Sequence, residues 1–208
     1  RWGTFPSVSA GWRISGEKFM QPLTSFVDNL KLRFSYGMLG NQSGIGRYDG
    51  TQLYDFTSSG GVLMDGKKVS IINTNKKIVS TERTWERIHN YNIALEFGFL
   101  GNRLTGVVDL FLKKNNNMLI EAQYPGILGD GAPSANIGKF EAKGWEGTLN
   151  WADKIGTVSY HIGASATYTT NKLIDLGATS VMKSGFQKTQ QGYPLNSFFG
   201  LRYTGKIQ

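Results

Sequence analysis

The sequence predicts an all-β protein: one segment of a large antiparallel transmembrane β-barrel. Three observations predict it. Apolar and polar residues alternate over stretches of about 8 to 12 residues, short turns at one strand end face long connections at the other, and the composition is unusual. Tilted membrane strands need ~9–11 residues, whereas strands of soluble proteins most often have ~5–6. The chain of 208 residues carries 27 Gly, 12 % aromatics and only 18 % charged residues, against roughly 25 % charged in a typical globular domain.

Each strand follows from the period of two, because successive side chains on a strand point to opposite faces. In residues 7–14, Val8, Ala10, Trp12 and Ile14 share one face, opposite Ser7, Ser9, Gly11 and Arg13. In 29–38, Leu30, Leu32, Phe34, Tyr36 and Met38 oppose Lys31, Arg33, Ser35 and Gly37. In 91–99, Tyr91, Ile93, Leu95, Phe97 and Phe99 oppose Asn92, Ala94, Glu96 and Gly98. Two stretches are less regular: 104–112, where Val107 and Phe111 join the polar face, and 144–151, where Trp145, Leu149 and Trp151 oppose Glu146, Thr148 and Asn150. In 157–168, Val158, Tyr160, Ile162, Ala164, Ala166 and Tyr168 oppose small polar residues and His161. A seventh, irregular strand is expected near 198–204.

The polar faces are built of Gly, Ser, Thr and Asn with single charges, which suits a wet lumen better than a packed sandwich core. Aromatics near the strand ends, Trp12, Tyr91, Phe99, Trp151, Tyr160 and Tyr168, fit the girdles found where barrel strands leave the bilayer. Residues 99–103 and 152–156 make tight hairpins, while 39–90, 115–139 and 171–194 are long. In outer-membrane barrels the long connections lie outside the cell. Parity allows zero or two barrel strands within 39–90, with residues 47–56 and a partner near 67–72 as the candidates. Between 15 and 28 a short helix is expected, with Pro22 in its first turn. With Arg1-Trp2 at its start and no apolar leader, the chain is expected to be a fragment cut at both ends.

The formal charge is +8 with a sequence pI near 9.6. The basic residues are scattered, in runs no longer than two, so no phosphate-tracking face forms and nucleic acid is not an expected partner. With no Cys and two His, there is no thiolate site or convergent ligand set, and neither a metal nor a cofactor is expected. No G-x-S-x-G elbow occurs, and the glycines of residues 40–50 do not follow the G-x-G-x-x-G spacing. Glu82, Arg83, Glu86 and Arg87 read as surface pairs around Trp85 rather than a catalytic carboxylate pair. No enzyme activity is expected.

Five segments resemble one family. They are FPSVSAGWRIS (5–15), NLKLRFSYGMLGNQ (29–42), TWERIHNYNIALEFGFLGNRLTGVVDLFLKKNNNML (84–119), KGWEGTLNW (143–151) and PLNSFFGLRYTGKIQ (194–208). In order and spacing they are similar to the later barrel of SusC/RagA-like TonB-dependent outer-membrane receptors. The resemblance implies a 22-stranded barrel with an N-terminal plug, energised through TonB and capped by a SusD-like surface lipoprotein. It implies import of oligosaccharides or peptides through a barrel seated in outer-membrane lipid. Residues 1–208 would then be part of a single barrel domain, with the plug and final strands absent. For such a receptor the expected substrate contacts are the rim aromatics Trp85, Tyr54, Tyr124, Phe186 and Tyr193, whose rings suit sugar stacking. Lumen-facing Lys31, Arg33, Glu96, Asp109 and Glu146 would shape the pore field. The competing expectation is a soluble or surface-attached β-sandwich that binds glycans or acts as an adhesin.

Overall fold

A computed structural model describes residues 2–57, 63–74, 79–80, 83–121, 134–177, 186–202 and 205. Its main feature is a single six-stranded antiparallel sheet in the order β1-β2-β7-β8-β9-β10. The strands are β1 (Ser7–Arg13), β2 (Val27–Asn41), β7 (Glu86–Phe99), β8 (Leu104–Glu121), β9 (Ser134–Ile155) and β10 (Val158–Asp175). Between β2 and β7 lie two small hairpins, β3 (Tyr54–Thr57) with β6 (Ile71–Thr74) and β4 (Leu63–Met64) with β5 (Lys67–Lys68). Because β2 pairs directly with β7, no barrel strand is inserted there. The two open possibilities resolve to zero, and the alternating patch near Tyr54 forms a hairpin outside the wall.

Registers across the sheet keep the two faces apart. Phe34 pairs Ile93, Ile93 pairs Leu110, Leu110 pairs Trp145 and Trp145 pairs Tyr168. One step along, Arg33 pairs Ala94, which leads through Asp109 to Glu146 and Thr167. A slip of one residue would exchange the faces, so the apolar alternation fixes the register. Strands β7 to β10 are joined at one end by tight turns. Leu100, Gly101 and Asn102 all take positive φ, and the Asp28 carboxylate accepts the Asn102 amide at 2.8 Å. The second turn is the pair 156–157, with Gly156 at φ 64. This is shorter than the expected 152–156 hairpin, because pairing continues to Ile155 and Val158.

Three further expectations are corrected. The strands are longer than the alternation showed, up to 22 residues in β9. Beyond the apolar band Lys114, Glu141 and Lys172 stand on the outward face and Phe140 and Leu173 on the other, so the apolar alternation changes faces while backbone pairing goes on. Residues 15–28 hold two 3-10 segments, Ile14–Gly16 and Lys18–Leu23. Pro22 sits near the end of the second, not in a first turn. The seventh strand does not join the wall: β12 (Ser197–Phe198) pairs only with β11 (Gln187–Lys188), and 203–204 lie outside the described residues.

A compact core sits at the long-connection end, where Ile120, Leu173 and Leu176 are buried against Met118, Ile137, Phe140 and Leu195. The main sheet has no such cover. Leu110, Ile93, Leu149, Ile162 and Tyr168 are 46–64 % exposed. A soluble domain would bury such a face, since each large apolar side chain gains about 1.5–3 kcal/mol on burial.

Candidate functional site: the polar wall and its outer rim

The polar face carries a charged network spread over three strands. Arg33 Nε on β2 lies 2.6 Å from Glu96 on β7, and its Nη2 lies 3.9 Å from Asp109 on β8. Lys31 reaches Glu96 at 3.9 Å, and Asn92 donates to Asp109 at 3.4 Å. Glu146 is the next residue along the same row, paired with Asp109. These groups stay partly exposed, so the network tiles a wet surface with both signs of charge and leaves a modest excess of carboxylate.

At the long-connection end the rim is clamped by Glu86. Its carboxylate accepts from Asn41 Nδ2 at 3.0 Å, Asn115 Nδ2 at 3.1 Å and the Leu119 amide at 2.7 Å. The register of β8 against β9 shifts between Asn115 and Leu119, and a bulge leaves backbone groups without ladder partners. Side chains supply them: Asn115 Oδ1 accepts the Asn117 amide, and Asn136 Nδ2 donates to the Asn117 carbonyl. Glu86 is therefore a brace across three strands, not a partner of its neighbouring arginines. Arg83 instead reaches Asp49 at 2.8 Å and the Ser134 carbonyl at 2.9 Å. Thr84 and Asn136 exchange two further hydrogen bonds.

These contacts enclose a polar cavity of about 740 Å³ lined by Gln42, Ser43, Asp49, Arg83 and Trp85. On its other side Trp85 lines a second cavity of about 350 Å³ with Trp2, Phe5 and Arg87, and its ring tilts against Phe5 at 5.5 Å. The other expected contact residues are dispersed. Tyr54 opens the β3–β6 hairpin and is 64 % exposed; Phe186 is 83 % exposed. Tyr193 meets Phe199 edge to face at 5.0 Å, and its carbonyl accepts the Leu173 amide. Tyr124 lies outside the described residues. No two of Trp85, Tyr54, Phe186 and Tyr193 are in ring contact. Asp49, Asn115 and Asn136 were not anticipated as rim residues; the run Asn115-Asn116-Asn117 was the available signal, since Asn suits irregular backbone.

The apolar face is edged by aromatics. Tyr36, Tyr91, Trp145 and Tyr168 lie toward the long connections, and Phe97, Phe99, Trp151 and Tyr160 lie toward the short turns. Tyr36 packs on Tyr91 at 5.1 Å, and Trp151 Nε1 approaches the Tyr160 hydroxyl at 3.5 Å. Long paired strands, one lipid-type face and two aromatic edges are the anatomy of a membrane barrel. Comparison decides which kind. The family model "TonB dependent receptor-like, beta-barrel" matches residues 1–206. The chain belongs to that family.

Among TonB-dependent receptors, this chain is 31 % identical to SusC of Bacteroides thetaiotaomicron over 157 residues, 72 % of the chain and 15 % of SusC. It is 29 % identical to the TonB-dependent receptor P26 of Formosa agariphila over 212 residues, 97 % of the chain and 21 % of that receptor. In fold it matches a structure of the RagAB peptide importer in an open-open state, with a TM-score of 0.79 at 24 % identity. That match covers 93 % of the chain and 20 % of the RagAB chain. The chain thus spans about a fifth of the length of the receptors it resembles. The six-stranded open sheet is a part of such a barrel, its apolar face turned toward lipid and its polar face toward the lumen.

Proposed function

We propose that residues 1–208 are one stretch of wall in the barrel domain of an outer-membrane receptor. The receptor imports oligosaccharide or peptide nutrients together with a SusD-like surface lipoprotein and draws its energy from TonB. The observation that carries this reading is the division of the sheet into two faces: a lipid-type face with aromatic edges, and a hydrated face with a mixed-charge network. Likeness to SusC and to the fold of a peptide importer supports the transport class. The chain itself contributes wall and rim. Trp85, beside the polar rim cavity, is the best-placed of the expected contact residues, and Tyr54, Tyr124, Phe186 and Tyr193 are proposed as lesser contributors. The reading includes no catalytic step, cofactor or nucleic-acid partner.

The test is to tag the native gene, extract outer membranes in detergent and identify what co-purifies. A chain of roughly five times this length with a lipoprotein partner is expected, the factor following from the share of the relatives that this chain spans. Deleting the gene should abolish growth on a defined oligosaccharide or peptide mixture while leaving growth on monosaccharides and free amino acids. A native chain recovered without detergent, or a deletion strain that grows on every polymer, would overturn the reading.

A further inference from the structure

The apolar face is not uniform. On it lies a depression of about 490 Å³, formed by Phe34, Tyr91, Ile93, Leu110, Trp145 and Tyr168 and bounded at the long-connection end by Lys143. The register then places two more lysines around Lys143. Leu112 on β8 and Thr170 on β10 are its direct partners, so Lys114 and Lys172, each two residues further on, are its diagonal neighbours. Diagonal cross-strand pairs are ~7–8 Å apart, within reach of long side chains. All three lysines share the outward face with the depression. Glu141 is the acidic residue among them, and it is taken by Lys114 at 3.6 Å. Lys143 and Lys172 have no carboxylate within ion-pair distance among the described residues. Glu141 stands directly opposite both Lys114 and Lys172, so one carboxylate serves three ammonium groups and the patch above the apolar slot keeps an excess of positive charge, whereas on the polar face Arg33 is matched by Glu96.

We propose that this patch is a binding site for a phosphorylated, acylated lipid of the outer leaflet. An acyl chain lies in the depression between Trp145 and Leu110, and the lipid phosphate is held by Lys143 and Lys172. The aromatic edge formed by Tyr91, Trp145 and Tyr168 marks the level at which a headgroup would sit. Lysine ammonium groups bind phosphate as point charges and can extend upward from their stems to reach it. Charge complementarity singles out a phosphate-bearing headgroup over a zwitterionic or neutral one. This inference rests on the outer-membrane reading given above, with the long connections outside the cell.

The full-length receptor carrying these residues would be purified in detergent and titrated by native mass spectrometry. The probes are an acylated diglucosamine bisphosphate, the same lipid after phosphatase treatment, phosphatidylethanolamine and inorganic phosphate. Retention of the bisphosphate lipid is expected, falling about 30-fold in the Lys143→Gln/Lys172→Gln double variant, as two surface lysines would account for. Lys154→Gln, near the short turns, should leave retention unchanged. Equal retention by the double variant, equal retention of the dephosphorylated lipid, or an equal loss in Lys154→Gln would each overturn the site. So would binding of inorganic phosphate alone at the same concentrations. An epitope inserted in residues 42–51 and probed on intact cells separates the two readings. Surface labelling without lipid retention defeats the lipid site and leaves the transport reading standing, whereas absence of labelling defeats the orientation on which both depend.

Discussion

Leu110 lies midway along β8 on the apolar face, paired with Ile93 and Trp145 and 53 % exposed in the bare sheet. In a membrane that exposure is contact with acyl chains, so Leu110→Arg should destabilise the barrel, by less than the ~2–4 kcal/mol of a midplane site because its partner Trp145 lies at the aromatic edge. Val107, on the polar face between Glu96 and Thr148, should accept Arg within about 0.5 kcal/mol, as water and Glu96 remain available to it. Urea titrations of the two full-length variants in lipid vesicles would show this contrast. At the rim, Glu86→Ala strands three donors at once and should cost about 1–3 kcal/mol. Faster hydrogen exchange at the Leu119 amide would report that loss locally. Of the candidate site, the sequence revealed which polar side chains share a face, because period two decides that. It did not reveal the Glu86 brace, whose partners Asn41 on β2 and Asn115 and Leu119 on β8 meet only once register and bulge are set. Gly144 shows the same limit. Its place in the KGWE motif was visible, but not the reason for it: a Cβ there would meet the Tyr168 carbonyl and come within 2.8 Å of the Phe111 ring.

At the scale of elements, the hairpins carry the connectivity. Gly156, at φ 64 in a two-residue link, is where β9 turns into β10. A residue with a Cβ is disfavoured there, and Gly156→Val should cost about 1–2 kcal/mol. The expected result is slower refolding of the full-length barrel into vesicles, read by delayed appearance of its heat-modifiable shift on gels, with the final fold retained. Six wall strands were legible in the sequence because lipid on one side and water on the other impose strict alternation. Strand ends were not, since Lys114, Glu141 and Lys172 on the outward face beyond Leu112, Trp145 and Tyr168 break the pattern without breaking the ladder. The hairpin of β3 with β6 is where the sequence left two possibilities open. Its residues alternate well enough to read as wall, yet β2 and β7 had already closed on each other, which only long-range pairing decides.

For the molecule as a whole, the sheet ends in two open edges, β1 and β10. Unpaired edges and a bare apolar face both invite association. Expressed by itself, the 208-residue chain should therefore aggregate in buffer and show no cooperative melt unless detergent or lipid is supplied. A monodisperse, detergent-free monomer in sedimentation would contradict the wall assignment. The long strands carry a different consequence. The 22 residues of β9 are about twice the ~9–11 that a tilted strand needs to cross hydrocarbon. In the proposed outer-membrane setting, roughly half of that strand, with its partners, is thus a rigid parapet standing in water outside the cell. The height of the mouth is consequently set by the number of paired residues above Lys143, independently of bilayer thickness. Evolution, or an engineer, can raise or lower the gate by trimming matched residues from β8 and β9 without touching how the barrel sits in the membrane.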